Sequence, residues 1–323
     1  MTSLTTDPAP SKPNRNTVRA TQNRELLLLT GFLVVIWAVT AFLSPRFLTP
    51  ANLKDILIQA APLGFVVIGQ MIVIVVRGLD LSVASIMATV AVLSTSLIDS
   101  TPVIFAIGLL LGAGIGAVNG YLVAYRRVTP FLATLATMIV LQGIRFAYTK
   151  GAPGGTLPET LRWLATGDIA GIPMALIALA IVAFAAHWML ERTVFGRRLK
   201  LYGDNPDAAR MTGAPTRFLV VMAFVISGVM AALAGLFLVG YVGIVDNWTG
   251  RGYELDSIAA AVIGGAALSG GKGSVPGVLL AALILVSLFN IVVILGLSIE
   301  LQLVIKGTLI ILAAAVYMKR SQS

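Results

Sequence analysis

The chain contains no cysteine and only one histidine, His187, so disulfide, thiolate and zinc-cluster chemistry have nothing to build on. Charge is equally scarce. Only 11% of the 323 residues are Asp, Glu, Lys or Arg, against about a quarter in soluble domains. Apolar residues make up 58% and the mean hydropathy is +0.94, which places the chain in the membrane. At roughly 20 apolar residues per crossing there is room for about ten crossings and none for a separate soluble domain. A net charge of +9 fits either nucleic-acid binding or membrane orientation, and the distribution of the charges decides between them.

The charges divide the chain into uncharged stretches at 26–43, 56–76, 81–98, 102–125, 128–144, 169–190, 218–245, 257–271, 273–299 and, around a single Lys306, 301–318. The spacing predicts an all-α polytopic protein of about ten transmembrane helices over 26–318. Residues 1–25 form a disordered tail, and 319–323 a short second one. No convincing cleavage site closes the first stretch, so it reads as a retained span. With both termini cytoplasmic, sixteen of the 23 basic residues fall on the inner side and five (Arg46, Lys54, Lys150, Arg162 and Arg251) on the outer. Arg145 and Lys306 lie in or at the edge of spans. That asymmetry is the positive-inside pattern, and it accounts for the charge without nucleic acid.

Two connections are long. The outer loop 150–168 is rich in Gly and Pro and suits a surface loop or docking edge. The inner loop 191–217 carries Asn205 before Pro206, a helix start, then the helix-prone run DAARM, then Gly213 as a stop with Pro215 beyond. So short a helix needs something to pack on. It is either a solvated basic loop or a docking element for a cytoplasmic partner.

Within the spans, Gly108, Gly112, Gly116 and Gly120 in i, i+4 register leave one helix face almost bare, which predicts a buried, tightly packed helix. Pro62 and Gly64 predict an interruption of the second span, and 257–271 is short for a ~30 Å hydrocarbon core. Both features favour a transporter or channel. Polar groups at membrane depth are Gln59, Gln70, Asn119, Gln142, Arg145, Asn290, Gln302 and Lys306, each a site candidate whose alternative is structural hydrogen bonding. No Asp or Glu falls deep in a span, which argues against an ion-driven carrier. The run GGAALSGGKGSVPG resembles a phosphate-binding loop but has Ala266 where a glycine is required and Gly273 where Ser or Thr would hold magnesium. His187, beside Trp188 at a span end, is expected to be structural rather than catalytic.

The runs RGLDLSVASIMA at 77–88, NGYLVAYRRVTPFLATLATM at 119–138, ERTVFGRRL at 191–199 and AAAVIGGAALSGGKGSVPGVLLAALIL at 259–285 resemble the ribose/xylose-type permease family of ABC importers, in the same order and over most of the chain. The resemblance implies a bacterial inner-membrane permease that catalyses no chemistry and holds no cofactor. It would pair with a second copy or a paralogue, with two cytoplasmic ATPase domains that bind ATP and magnesium, and with an extracytoplasmic sugar-binding protein. It also implies a coupling helix. Importer permeases carry Glu-Ala-Ala, three residues and Gly, and here Asp207, Ala208, Ala209 and Gly213 reproduce the pattern with Asp for Glu, flanked by Arg210. Arg197, Arg198 and Arg210 would steer or pair with the ATPase. Asn119 and Asn290 are expected on the translocation path, where neutral amides can meet sugar hydroxyls. A carrier or facilitator without an ATPase remains the alternative.

Overall fold

The computed structural model describes residues 15–96, 100–298, 300, 301, 303, 304, 307 and 308, with side chains described from Arg24 onward. Helix α1 (Arg15–Leu43) is followed by α2 (Pro50–Val75), the short α3 (Val83–Ser96), α4 (Thr101–Ala124) and α5 (Pro130–Thr149). A small helix α6 (Glu159–Thr166) leads into a hairpin of two-residue strands, β1 (Asp168–Ile169) and β2 (Ile172–Pro173). Then come α7 (Met174–Arg192), α8 (Val194–Asp204), α9 (Pro206–Met211), α10 (Thr216–Val242), α11 (Tyr253–Ile263) and α12 (Val275–Ile294). Seven of these (α1, α2, α4, α5, α7, α10 and α12) are long and apolar enough to cross a membrane. The chain is an all-α polytopic membrane protein whose strands amount to one small hairpin.

The helix starts are written in proline. Pro stands at the first or second position of α2, α4, α5, α9 and α12, where its missing N–H costs nothing and its fixed φ suits the helix. Thr49, Thr193, Asn205 and Ser274 cap α2, α8, α9 and α12 by accepting backbone N–H bonds. α1 begins at Arg15, inside the stretch expected to be a disordered tail. Residues 15–25 contain neither Pro nor Gly, so a helix anchored in the apolar span propagates back through them. Residues 1–14 lie outside the described residues, as do 319–323 and, apart from a few positions, the expected span 301–318 with Gln302 and Lys306.

Two of the expected spans are half-length helices, one of them the stretch 257–271 already read as short. In the stretch 81–98 the described residues are two non-helical positions followed by the 14 residues of α3, and 257–271 contains only the end of the 11-residue α11, after which the chain turns at Gly264 and Gly265. Conversely α2 is not broken. It runs through Pro62 without interruption, and Gly64 serves close approach instead, since a Cβ there would lie 2.8 Å from Leu179 of α7. α2 is the axis of the molecule, buried from Ala60 to Val75, with α10, α7, α11 and α12 packed around it.

α4 and α10 form the tightest seam. All four glycines of the α4 register are buried. A Cβ at Gly112 would overlap the Gly228 carbonyl oxygen, one at Gly116 the Phe224 carbonyl, and one at Gly120 would stand 2.6 Å from Val221 Cα. Gly108 faces a side chain instead, Val90 Cγ1 at 2.9 Å. Backbone therefore meets backbone along three turns, the contact that only glycine permits. α1 lies at the periphery, held to α12 by Trp37 Nε1 donating to Ser287 Oγ at 3.0 Å.

The bundle has two ends. One carries α8, α9, the N-termini of α5, α10 and α12, and the C-termini of α2, α4 and α7; it is called the α9 face below. The other carries α6 and the hairpin, against the C-terminal half of α10 and the N-terminus of α2.

Candidate functional site

α9 is one turn and a half, and its sequence explains why it exists at all. Asn205 takes extended backbone at φ −152°, and its side-chain oxygen accepts the N–H groups of Asp207 and Ala208, each at 3.0 Å. Pro206 supplies the first helical φ, and Gly213 at φ +73° lets the chain turn away toward α10. Ala209 points into the protein and is fully buried, so the expected smooth Ala face is half used up inside the fold. Ala208 is half-buried. What α9 presents outward is Asp207, Arg210 and Met211, with Arg210 Nη1 on Asp207 Oδ1 at 3.1 Å. Arg197 and Arg198 are exposed on α8.

Behind α9 lies a knot of backbone. Arg77, just past the end of α2, donates from Nε to the Gly203 carbonyl at 2.7 Å and from Nη2 to the Asp204 carbonyl at 2.9 Å. Gly271 N–H bonds the Val75 carbonyl at 2.9 Å. A Cβ at Gly203 would overlap Val75 and Gly271 backbone, and Gly270 and Gly271 both hold positive φ. The glycine-rich run at 264–277 is thus a wedge that lets the ends of α2 and α8 and the α11–α12 loop touch. The residue that caps α9 directly follows the one Arg77 holds.

Arg77 also begins the break between α2 and α3, and here one sequence inference needs correction. Asp80 is completely buried, and Ser227, which donates to its Oδ2 at 2.8 Å, lies eleven residues into α10, about 16 Å from that helix's start. A carboxylate therefore does sit at membrane depth. It escaped notice because it lies beside an apolar stretch in the sequence rather than within one. Asp80 Oδ1 accepts from Ser82 N–H at 3.0 Å and Ser82 Oγ at 2.6 Å. Gln70, with its amide turned to satisfy both, bonds the Asp80 carbonyl at 3.0 Å and its N–H at 3.2 Å. Asn119 joins the same network. Its Nδ2 donates to Ser82 Oγ at 2.9 Å, its Oδ1 accepts from Thr137 at 2.6 Å, and no part of it is exposed. Asn119 thus fastens α3, α4 and α5 together and faces no open cavity.

Arg145 is buried on α5, donating to the carbonyls of Ser85 at 3.0 Å and Asn247 at 3.2 Å. It clamps the segment between α10 and α11 to α3. Asn290 and Asn52 exchange amide hydrogen bonds at 2.8 and 3.1 Å, joining α12 to α2. One turn further along α2, Asp55 accepts from Tyr241 at 2.8 Å and from Gln59 at 2.9 Å, and Gln59 also donates to Tyr241 at 3.0 Å. All five residues are half-buried. Asp55 and Tyr241 were not among the sequence candidates. The Asp55/Gln59 i, i+4 pair was the available signal, hidden because the uncharged stretch was taken to begin one residue later. At the same end Lys54 is bonded to Asp168 of β1 and holds its carboxyl below the usual carboxylate range, with the Gly171 N–H assisting. His187 is exposed on α7 beside exposed Trp188, and among the described residues no three His, Asp or Glu side chains could hold a metal.

Residues 52–314 match the family described as the branched-chain amino acid transport system / permease component. The chain belongs to this permease family. It is 37% identical to the ribose import permease protein RbsC of Escherichia coli (strain K12) over 295 residues, 89% of this chain and 92% of that one. It is 38% identical to RbsC of Bacillus subtilis (strain 168) over 296 residues, 90% and 91% of the two chains. It is also 35% identical to the autoinducer 2 import system permease protein LsrC of Escherichia coli (strain SMS-3-5 / SECEC) over 277 residues, 84% and 80%. No solved structure matches. The family description names amino acids while these relatives are named for ribose and autoinducer 2 import, so membership fixes the transport role more narrowly than the cargo.

Proposed function

We propose that the chain is the membrane-spanning subunit of a bacterial inner-membrane ABC importer for a sugar or related polyol. The observation that carries this reading is similarity to import permeases along about nine-tenths of both chains. The α9 face is cytoplasmic: Arg77, Arg126, Arg127, Arg192, Arg197, Arg198, Lys200, Arg210, Arg217 and Lys272 gather there, as the positive-inside rule requires. An even number of crossings would put both termini on that side. Seven long helices and the broken crossings built on α3 and α11 make nine, and the apolar sequence stretch 301–318, which lies mostly outside the described residues, would supply the tenth.

α9 is the coupling helix. A cytoplasmic ATPase meets it through Asp207, Ala208, Arg210 and Met211, while buried Ala209 anchors it and Gly213 frees its exit. ATP-driven closure of two such ATPases moves α9, and the Arg77 knot passes the displacement to α2, the most buried helix. A second permease copy or a paralogue completes the channel, and an extracytoplasmic binding protein delivers the sugar to the opposite face. There Asn290 with Asn52, and Asp55 with Gln59 and Tyr241, offer the neutral and acidic acceptors that suit hydroxyls. The permease itself catalyses nothing, and ATP and magnesium stay on the partners.

The test is co-purification. Ala208→Arg or Met211→Glu should abolish recovery of the ATPase with the tagged permease and should abolish sugar uptake, while the permease still accumulates in the membrane. Unchanged recovery and uptake in both variants would sink the coupling assignment. Buried Asp80 is the one observation that favours an ion-driven carrier, although its acceptors are already filled by three donors. Reconstituted uptake driven by a gradient in the absence of ATP, and lost in Asp80→Asn, would establish that reading instead.

A further inference from the structure

On the α9 face a cleft of about 660 Å³ opens between the ends of α2, α4, α5 and α10, with Tyr202 of α8 and Arg210 of α9 on its border. Four arginines line it, Arg77, Arg127, Arg210 and Arg217, and no carboxylate does. The helix ends do not make the cleft positive, because two N-termini (α5 and α10) are balanced by two C-termini (α2 and α4). The side chains therefore decide its field. Arg210 is answered by Asp207, and the hydrogen bonds of Arg77 go to carbonyls, which neutralise nothing. Arg217 lies over the ring of Tyr125 at 5.3 Å, a contact through its face that leaves its in-plane N–H groups able to meet an oxyanion. Arg127 forms no ion pair among the described residues, and it shares with Arg77 a left-handed backbone, φ 58° and 64°. Such strain at non-glycine residues collects at ligand sites.

Three uncompensated guanidiniums around one cleft fit a phosphate group. The surroundings say which phosphate. Tyr121 and Tyr125 stack at 5.3 Å near the end of α4, and Tyr121, Phe131, Leu132 and Phe218, on three of the four helices that bound the cleft, are all exposed. Tyrosines beside an apolar, outward-facing surface where the spans end mark the level of lipid headgroups. We propose that this cleft binds the headgroup phosphate of an anionic phospholipid, whose acyl chains lie along the exposed apolar faces of α4, α5 and α10. A free phosphate compound would satisfy the arginines but leave that apolar rim unused. Basic pockets between spanning helices take such headgroups. The assignment does not depend on what the protein transports.

The experiment is native mass spectrometry of the intact protein in mild detergent, titrated with phosphatidylglycerol, phosphatidylcholine or inorganic phosphate. Phosphatidylglycerol should be retained in preference to phosphatidylcholine, and Arg127→Gln with Arg217→Gln should weaken its retention roughly tenfold or more. Arg126→Gln, on a neighbouring residue that does not line the cleft, should leave retention unchanged, and Arg127→Lys with Arg217→Lys, which keeps both charges, should weaken it less than the glutamine pair does. If the double glutamine variant fails to accumulate, Arg127→Gln alone, at an exposed position, should weaken retention roughly threefold. Equal retention by wild type and the glutamine variants would overturn the proposal. So would saturation by inorganic phosphate with no preference among lipids, which would make the cleft a site for a soluble phosphate compound. Protection of Arg127 and Arg217 from arginine-specific modification only when the ATPase is bound, with no effect of lipid, would overturn it in favour of an acidic protein surface.

Discussion

At the α4–α10 seam two helices meet through bare backbone: Gly112 against Gly228, Gly116 against Phe224, Gly120 against Val221. At the α2–α3 break the contact between elements is made by side chains that each have a named partner: Asp80 with Ser82 and Ser227, Asn119 with Ser82 and Thr137. The seam is held by dispersion over a long, featureless interface and by the absence of anything that could intrude. The break is held by a few directional bonds whose loss leaves a charge or a dipole stranded in a dry interior. The seam therefore fails by steric intrusion and the break by chemical deletion, and substitutions can separate the two.

Intrusion should have the larger effect. Gly112→Leu would drive a side chain into the Gly228 carbonyl, where neither helix can yield without separating, a cost well beyond the ~1–3 kcal/mol of ordinary overpacking. The expected outcome is no folded protein in the membrane fraction, read by size-exclusion chromatography in detergent. Gly114→Leu on the same helix, with no atom within 4 Å of its Cβ, should behave as wild type. An equal loss in both would mean that α4 tolerates no added side chain on either face, and that the seam is not the cause, since leucine favours a helix more than glycine does.

Deletion at the break comes next. Asp80→Ala strands the Ser227 and Ser82 hydroxyls and removes the bond that fixes the start of α3, at about 1–3 kcal/mol for each buried group left unsatisfied. A lowered melting temperature is expected with the protein still folded. Asp80→Asn, which keeps one acceptor oxygen and can donate from its amide nitrogen to a reoriented serine hydroxyl, should recover part of the loss. A melting temperature unchanged in Asp80→Ala would show that the network is incidental to the fold.

A smaller effect on stability is expected at α9. Asn205→Ala removes the cap from a helix of six residues, worth about 1 kcal/mol. Uptake should fall far more than the melting temperature does, because α9 frays while the bundle behind it stays intact. Uptake that tracks stability one for one would remove α9 from the coupling pathway.

The seam and the break also differ in how they are written in the sequence. Four glycines at i, i+4 spacing announce a packing face with no reference to any partner, and α9 is likewise announced by Asn205, Pro206 and Gly213, because caps and turns are local chemistry. The break could not be read this way. Asp80 stands next to Arg77 in a segment that looks like a loop between two spans, and only the folding of 77–82 back against α10 carries it to the depth of Ser227. Ala209 is a case of the same kind: the pattern supplied the helix but not the direction in which its alanines point. Pro62 misled for the opposite reason, since α2 is so completely packed that its neighbours keep it helical through a residue that would break an isolated helix.

The smallest effect sharpens the comparison from the other end of the bundle, where Lys54 and Asp168 pair across exposed surface. The pair has neither the steric closure of the seam nor the burial of the break, and water screens it. Because Lys54 lowers the Asp168 pKa in the folded state, the pair's contribution is fully present above the ordinary value of 3.8 and disappears only as pH falls through the lower folded value. The melting temperatures of wild type and Lys54→Met should therefore differ by a small, constant amount from about pH 5 to about pH 8, and converge below the ordinary carboxylate range. A difference that changed between neutral and mildly acidic pH would mean that the pair is not what Lys54→Met removes.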